Sequence, residues 1–250
     1  MRWLRLLARL PFLAVHLGLF LPLVVLLLVL PGTRRIAWGG EDLHARLIRA
    51  WSGGLLRVFG LRVRRYGTPL RGAVLFVANH VSWIDIELFH SQLWAGFVSK
   101  AEVEKWPLVG WLASLGGTIY HHRGNQDSLH GVMHQMVQRL QEGRPVAVFP
   151  EGRTTSGEAL GVFHARIFQP AVVANVPAQP VALRYGAGGE AQRIVAFAPG
   201  ESFMGNFVRL LGEPGRVAEV HFLDPVPPSE DGRRRMAETC RERIAAVLAR

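Results

Sequence analysis

Apolar residues along the chain fall into three regimes. From Phe12 to Leu30 they run almost without a break and without charge, behind a segment carrying Arg2, Arg5 and Arg9. That is roughly 19 residues, at the lower limit for a helix that crosses a bilayer. His16 and Pro22 interrupt the pattern, and the run closes on Pro31, Gly32, Thr33, Arg34 and Arg35 with no small-x-small cleavage signal. The segment is expected to anchor the chain in a membrane, either by spanning it or by dipping into one leaflet as a hairpin or interfacial helix. Arginines on both flanks leave its orientation open.

The second regime covers 39–65. Leu43, Leu47, Trp51, Leu55 and Phe59 recur near helical spacing, with Arg46, Arg49 and Arg57 between them. This predicts a basic amphipathic helix, broken at Gly53-Gly54 and suited to anionic headgroups. From residue 73 the period shortens. Strand-like runs stand at 73–79, 95–100, 118–120, 145–150, 180–185, 193–198 and 217–223. Helices are predicted between them at 84–92, 107–114, 126–142, 161–174, 202–211 and 230–249. Several strand runs are continuously apolar, as in a sheet covered on both faces. The predicted fold is α/β: a mixed, largely parallel sheet flanked by helices over 66–250, behind an N-terminal membrane-anchoring element over 1–65.

Charge adds a partner. Twenty-nine Lys and Arg against 19 Asp and Glu give a net charge of +10, which points to nucleic acid or to an anionic lipid surface. The basic residues border an apolar anchor, and no helix-turn-helix or zinc-ligand spacing occurs, so anionic membrane lipid is the expected partner and nucleic acid is not. The single cysteine, Cys240, excludes an intrachain disulfide framework and any cysteine-based metal cluster. His121-His122 and the His130/His134 pair lack a further ligand at metal-binding spacing, so no metal is expected.

Two polar clusters follow strand-like runs, where ligand sites gather in sheets of this class. The first is Asn79-His80-Val81-Ser82-Trp83-Ile84-Asp85. A histidine removes a proton from an alcohol near neutral pH, and a carboxylate fixes its tautomer and stabilises the imidazolium. A spacing of five is not a helix-face offset, so contact requires a turn, with Asp85 in the first turn of the next helix. Ser82 has no G-x-S-x-G context and is expected to cap that helix rather than act as a nucleophile. The second cluster is Phe149-Pro150-Glu151-Gly152-Arg153-Thr154-Thr155. Arg153 suits a phosphate or carboxylate, with the Gly152 backbone and the Thr154 and Thr155 hydroxyls as further donors; Glu151 is expected to bind an acceptor hydroxyl or to lock Arg153. Lys100 and Arg123 each follow a strand-like run and are candidates for additional anion contacts.

These clusters, with the stretch ending in Arg123 and the stretch Val176-Pro177-Ala178-Gln179-Pro180, resemble four ordered blocks of the glycerolipid acyltransferase family over roughly residues 70–185. Bacterial members of that family include 1-acylglycerol-3-phosphate acyltransferases. The resemblance implies His80 as base with Asp85 as its partner, Glu151, Gly152 and Arg153 at the acceptor, Arg123 on its phosphate, and Pro180 shaping a wall. It implies attack by a lysophospholipid hydroxyl on the thioester of acyl-CoA or acyl carrier protein, with no cofactor. The implied location is a bacterial inner membrane, with the active site toward the cytoplasm. The family's usual order in the third block is Gly-Thr-Arg, whereas Arg153 here follows Gly152 directly. Arg123 and the basic surface favour lysophosphatidic acid as acceptor; the shifted Arg153 keeps lyso-ornithine lipid as the alternative.

Overall fold

The computed structural model describes residues 1–33, 36–38, 41–106, 109–122, 126–228 and 232–249. Strand β1 is Leu61–Tyr66, β2 Leu75–Ala78, β3 Gly96–Lys100, β4 Ile119–His121, β5 Val146–Val148, β6 Ala178–Tyr185 and β7 Arg216–Phe222. They form one sheet in the order β1-β7-β6-β2-β5-β3-β4. The five strands from β6 to β4 are parallel; β7 pairs antiparallel with β6, and β1 runs with β7. The expected mixed, largely parallel sheet is therefore present.

Strand β2 lies at its centre, and its four residues are at most 2% exposed. Pleating sends Leu75 and Val77 to one face and Phe76 and Ala78 to the other, so both faces require a helical layer. Phe76 packs with Leu56, Ile84, Leu88, Leu183 and Leu210, beneath helices α2 (Leu43–Val58), α3 (Ile84–His90) and α8 (Phe203–Leu211). Leu75 and Val77 pack with Met136, Phe168, Met236 and Ile244, beneath α5 (Gln126–Gln141), α6 (Gln169–Val173) and α9 (Gly232–Leu248). Two short helices, α4 (Val109–Leu115) and α7 (Gln192–Val195), complete the set of labelled elements.

The N-terminal helix α1 spans Arg2–Val29, long and apolar enough to cross a membrane. It passes Pro11 and Pro22 without ending and takes a π turn over His16–Phe20. Its first half docks on the sheet's helical layer. Arg5 Nε donates to Gly212 O at 2.9 Å, and Arg9 Nη1 donates to Leu211 O and Glu213 O at 2.8 Å each. Those carbonyls end α8, where the helix dipole favours cations. The opposite side of α1 leaves Trp3, Leu4, Leu7, Phe12, Leu19 and Leu26 exposed.

Three sequence expectations give way here. Residues 61–66 are not helical: Gly60 has φ +75° and ends the helix, and the alternation Leu61, Arg62, Val63, Arg64 continues as an edge strand whose arginines face solvent. Residues 193–198 are not a strand: α7 and a loop occupy them, and β7 takes the place beside β6. A short continuous apolar run fits a buried helix as well as a strand. The helix expected over 161–174 is reduced to a 3-10 turn, Ala165–Phe168, and α6.

Gly53-Gly54 does not break α2 either. The helix is continuous, and Gly54 faces the His16 ring, which stacks on Trp51 with centroids 5.4 Å apart. A Cβ on Gly54 would fall 2.7 Å from His16 Cε1, whereas one on Gly53 meets nothing within 4 Å. In a helix interior Gly→Ala normally stabilises by about 1 kcal/mol. Gly53→Ala is expected to raise the unfolding temperature in detergent and Gly54→Ala to lower it, as read by scanning fluorimetry.

Candidate active site

Chain continuity brings Asn79 to the end of β2. Its amide extends the sheet past the last strand residue: Nδ2 donates to Leu183 O at 2.9 Å, and Leu183 N donates to Oδ1 at 2.8 Å. The next residues turn sharply into α3. Asp85, in the first turn of that helix, is fully buried and points back into the turn. Its Oδ2 accepts from Val81 N at 2.7 Å, Ser82 N at 2.9 Å and His80 Nδ1 at 2.8 Å. Its Oδ1 accepts from the Tyr185 hydroxyl at 2.6 Å. A spacing of five thus closes through a turn.

The imidazole of His80 is held from several sides. With Nδ1–H donated to Asp85, the lone pair lies on Nε2, which makes no hydrogen bond among the described residues. The side chain keeps 15% of its surface exposed. Phe149 stacks on its face, centroids 3.8 Å apart and 8° from parallel. The backbone of His80 is clamped by the second cluster: its N–H donates to Glu151 Oε1 at 2.8 Å, and its carbonyl accepts from Thr155 N at 2.8 Å and Thr155 Oγ1 at 3.2 Å. The two polar clusters are therefore one structure.

Some side chains take partners that the sequence did not indicate. Glu151 is buried, and its second oxygen accepts from Gly161 N at 2.7 Å, so both oxygens engage backbone and neither engages Arg153. Burial pushes its carboxyl above the ordinary carboxylate range. Ser82 does not cap α3; its hydroxyl donates to Asn206 Oδ1 at 3.1 Å, as does Trp83 Nε1 at 3.0 Å. Asn206 of α8 thereby buttresses the turn. Gly152 has φ +71°, a conformation glycine adopts without steric cost, and carries the chain to exposed Arg153 and half-buried Thr154. Arg153 makes no hydrogen bond or ion pair among the described residues.

Lys100 ends β3 at the same end of the sheet as His80, with Nζ 5.5 Å from the Trp106 ring centroid. Pro180 is buried inside β6 opposite Val77, short of the strand end where His80 lies. Having no N–H, it leaves Leu223 O to Gln179 Nε2, which donates at 3.1 Å. Arg123 lies outside the described residues. Beside the turn, toward α9, a cavity of about 320 Å³ is lined by Asn79, Val81, Thr155, Gln192 and Arg241 among others. Among the described residues, no group of three or more His, Cys, Asp or Glu is placed to hold a metal ion.

A buried carboxylate that fixes a histidine tautomer, with the second ring nitrogen open, is suited to withdrawing a proton from an incoming group. The family model described as Acyltransferase matches residues 61–184. A lyso-ornithine lipid O-acyltransferase of Pseudomonas aeruginosa is 38% identical over 207 residues, covering 82% of this chain and 80% of that protein. The chain belongs to the acyltransferase family. A 1-acyl-sn-glycerol-3-phosphate acyltransferase of Neisseria gonorrhoeae is 36% identical over 126 residues, covering 50% of this chain and 49% of that protein. The crystal structure of the 1-acyl-sn-glycerophosphate (LPA) acyltransferase from Thermotoga maritima shares the fold, with a TM-score of 0.74 and 21% identity, over 100% of this chain and 99% of that one. The protein is an acyltransferase whose acceptor is a lysolipid hydroxyl.

Replacing Glu151 by Gln sets an NH2 group against one of two backbone donors. Glu151→Gln is expected to cost about 1–3 kcal/mol of stability, the cost of an unsatisfied buried group. Thermal unfolding reads that loss, and acyl transfer is expected to fall with it as the His80 backbone loses its clamp.

Proposed function

We propose that the chain is a lyso-ornithine lipid O-acyltransferase, moving a fatty acyl group from acyl-CoA or acyl carrier protein to the free hydroxyl of the lysolipid. One observation carries the choice of acceptor. The 207-residue similarity to the Pseudomonas enzyme is longer than the stretch 61–184 that defines the family, whereas the 126-residue similarity to the Neisseria enzyme is about that length. Likeness to the ornithine-lipid enzyme thus extends beyond the common acyltransferase core. The single guanidinium of Arg153, exposed and displaced by one position from the usual order of the third block, suits the planar carboxylate of an amino-acid head group, which it would meet bidentately.

In this mechanism His80 Nε2 accepts the proton of the acceptor hydroxyl as its oxygen attacks the thioester carbonyl carbon. Asp85 stabilises the imidazolium that forms and keeps the ring from turning. The tetrahedral intermediate collapses with cleavage of the C–S bond, and the departing sulfur takes the proton back from His80. Ester and thiol are the products. Glu151 and Thr155 act on the main chain of His80, holding the imidazole in register with the acceptor. Arg5 and Arg9 dock α1 at the start of β7, the same end of the sheet as His80, so a lipid acceptor reaches the base from the membrane side. With water-soluble donors, that end faces the cytoplasmic leaflet of a bacterial inner membrane.

The test is incubation of the detergent-purified protein with acyl-CoA or acyl carrier protein and a panel of lysolipids, with products read by mass. Lyso-ornithine lipid is expected to be acylated with a kcat/KM at least about tenfold above lysophosphatidic acid, a difference of about 1.4 kcal/mol. Preference for lysophosphatidic acid overturns the choice of acceptor, and release of free fatty acid without acceptor overturns transfer itself. His80→Ala is expected to fold and lose about 10²–10⁴-fold in kcat, the usual range for a general base.

A further inference from the structure

We propose that Tyr185 is a positioning residue for the proton transfer, its hydroxyl holding Asp85 in the orientation from which the carboxylate fixes His80. The assignment rests on His80 acting as the base. Three donors pin Asp85 Oδ2: Val81 N, Ser82 N and His80 Nδ1. All three belong to the turn that carries Asp85 itself, and rotation about the Cβ–Cγ bond would move both oxygens together, so a donor on Oδ1 resists the same rotation from the other side. The Tyr185 hydroxyl, 2.6 Å from Oδ1, is that donor, and it ties the carboxylate to β6 rather than to its own turn.

The placement of Tyr185 is itself rigid. It closes β6, the strand that Asn79 ties to β2, and it is fully buried. Its N–H donates to Gln192 Oε1 at 3.0 Å and its carbonyl accepts from Ala191 N at 2.9 Å. Gln192 Nε2 in turn donates to Leu183 O at 3.1 Å. The hydroxyl is therefore delivered to Asp85 by the sheet, from 100 positions along the chain. Burial and the negative charge of Asp85 keep it protonated, its pKa well above the ordinary tyrosine value, so it stays a donor across the working pH range.

A buried tyrosine hydroxyl always needs a partner, and many such bonds only satisfy the hydroxyl. This one ends on the carboxylate that orients the base, which predicts an effect on catalysis as well as on stability. The ionisable groups facing the pair are Tyr185 from β6 and Glu151 from the loop after β5. Glu87 of α3 instead accepts from Ser52 of α2 at 2.7 Å, and α8 presents the neutral Asn206 to Ser82 and Trp83. Removing the hydroxyl leaves more negative charge on Asp85 and favours the imidazolium.

The experiment compares wild type, Tyr185→Phe and His80→Ala in detergent, recording kcat and both KM values across pH with the best acceptor of the lysolipid panel. Tyr185→Phe is expected to keep both KM values, to lower kcat about tenfold or more, and to move the acidic limb of the kcat profile to higher pH. An inactive His80→Ala beside a Tyr185→Phe with wild-type kcat and limb overturns the role of Tyr185 alone. An active His80→Ala overturns the base, and this assignment with it. If Tyr185→Phe does not fold, the chain offers a gentler change, because its other tyrosines are only Tyr66 and Tyr120. In a Tyr66→Phe/Tyr120→Phe background, global 3-fluorotyrosine labelling makes the Tyr185 hydroxyl a stronger donor. The acidic limb is then expected to move to lower pH, and a limb that stays in place overturns the proposal.

Discussion

A carboxylate with no solvent exposure needs its charge met by donors, because an unpaired buried charge costs several kcal/mol. Asp85 is such a group, and much of the fold serves its four donors. Two are neighbouring backbone N–H groups, which requires the tight turn from β2 into α3. One is His80, which places the imidazole on the turn and sets its tautomer. The last is Tyr185, which requires β6 to lie beside β2 in the right register. Parallel pairing supplies that register, and the Asn79 side chain carries it past the point where the backbone ladder stops.

The same economy governs the loop after β5. Glu151, Thr155 and Phe149 hold the main chain and ring of His80, while Arg153, in the same loop, is turned outward to solvent. A single loop therefore has an inner side that fixes His80 and an outer side exposed to solvent. This division explains how the third block tolerates a shifted arginine. Moving a guanidinium on the outer side leaves the support of His80 untouched. The docking of α1 follows comparable logic: its arginines bind the carbonyls that end α8, and α8 in turn carries Asn206 against the turn. The apolar N-terminal helix and the site are joined through one short helix.

The largely apolar runs at 73–79, 145–150 and 180–185 were legible as buried strands because covered faces leave little room for polar alternation. The His80/Asp85 pair was legible once its place at a strand end was recognised. The edge strand 61–66 was not, since it continues an apparent helical pattern and only the left-handed turn at Gly60 separates the two. Residues 193–198 were misread because a short apolar run carries no period long enough to distinguish helix from strand. Glu151 and Ser82 were given plausible polar work, but the partners that claimed them, Gly161 and Asn206, lie 10 and 124 positions away.

Local composition and periodicity by themselves determined the class of fold, the apolar N-terminal segment and the two polar clusters at strand ends, because these depend on side-chain type and short-range order. The tertiary structure decided which groups meet. It set the clamp of one cluster on the other, the outward turn of Arg153, and above all the contact of Tyr185 with Asp85. Those pairings depend on strand order and register, and no spacing along the chain encodes the distance between residues on neighbouring strands of a sheet.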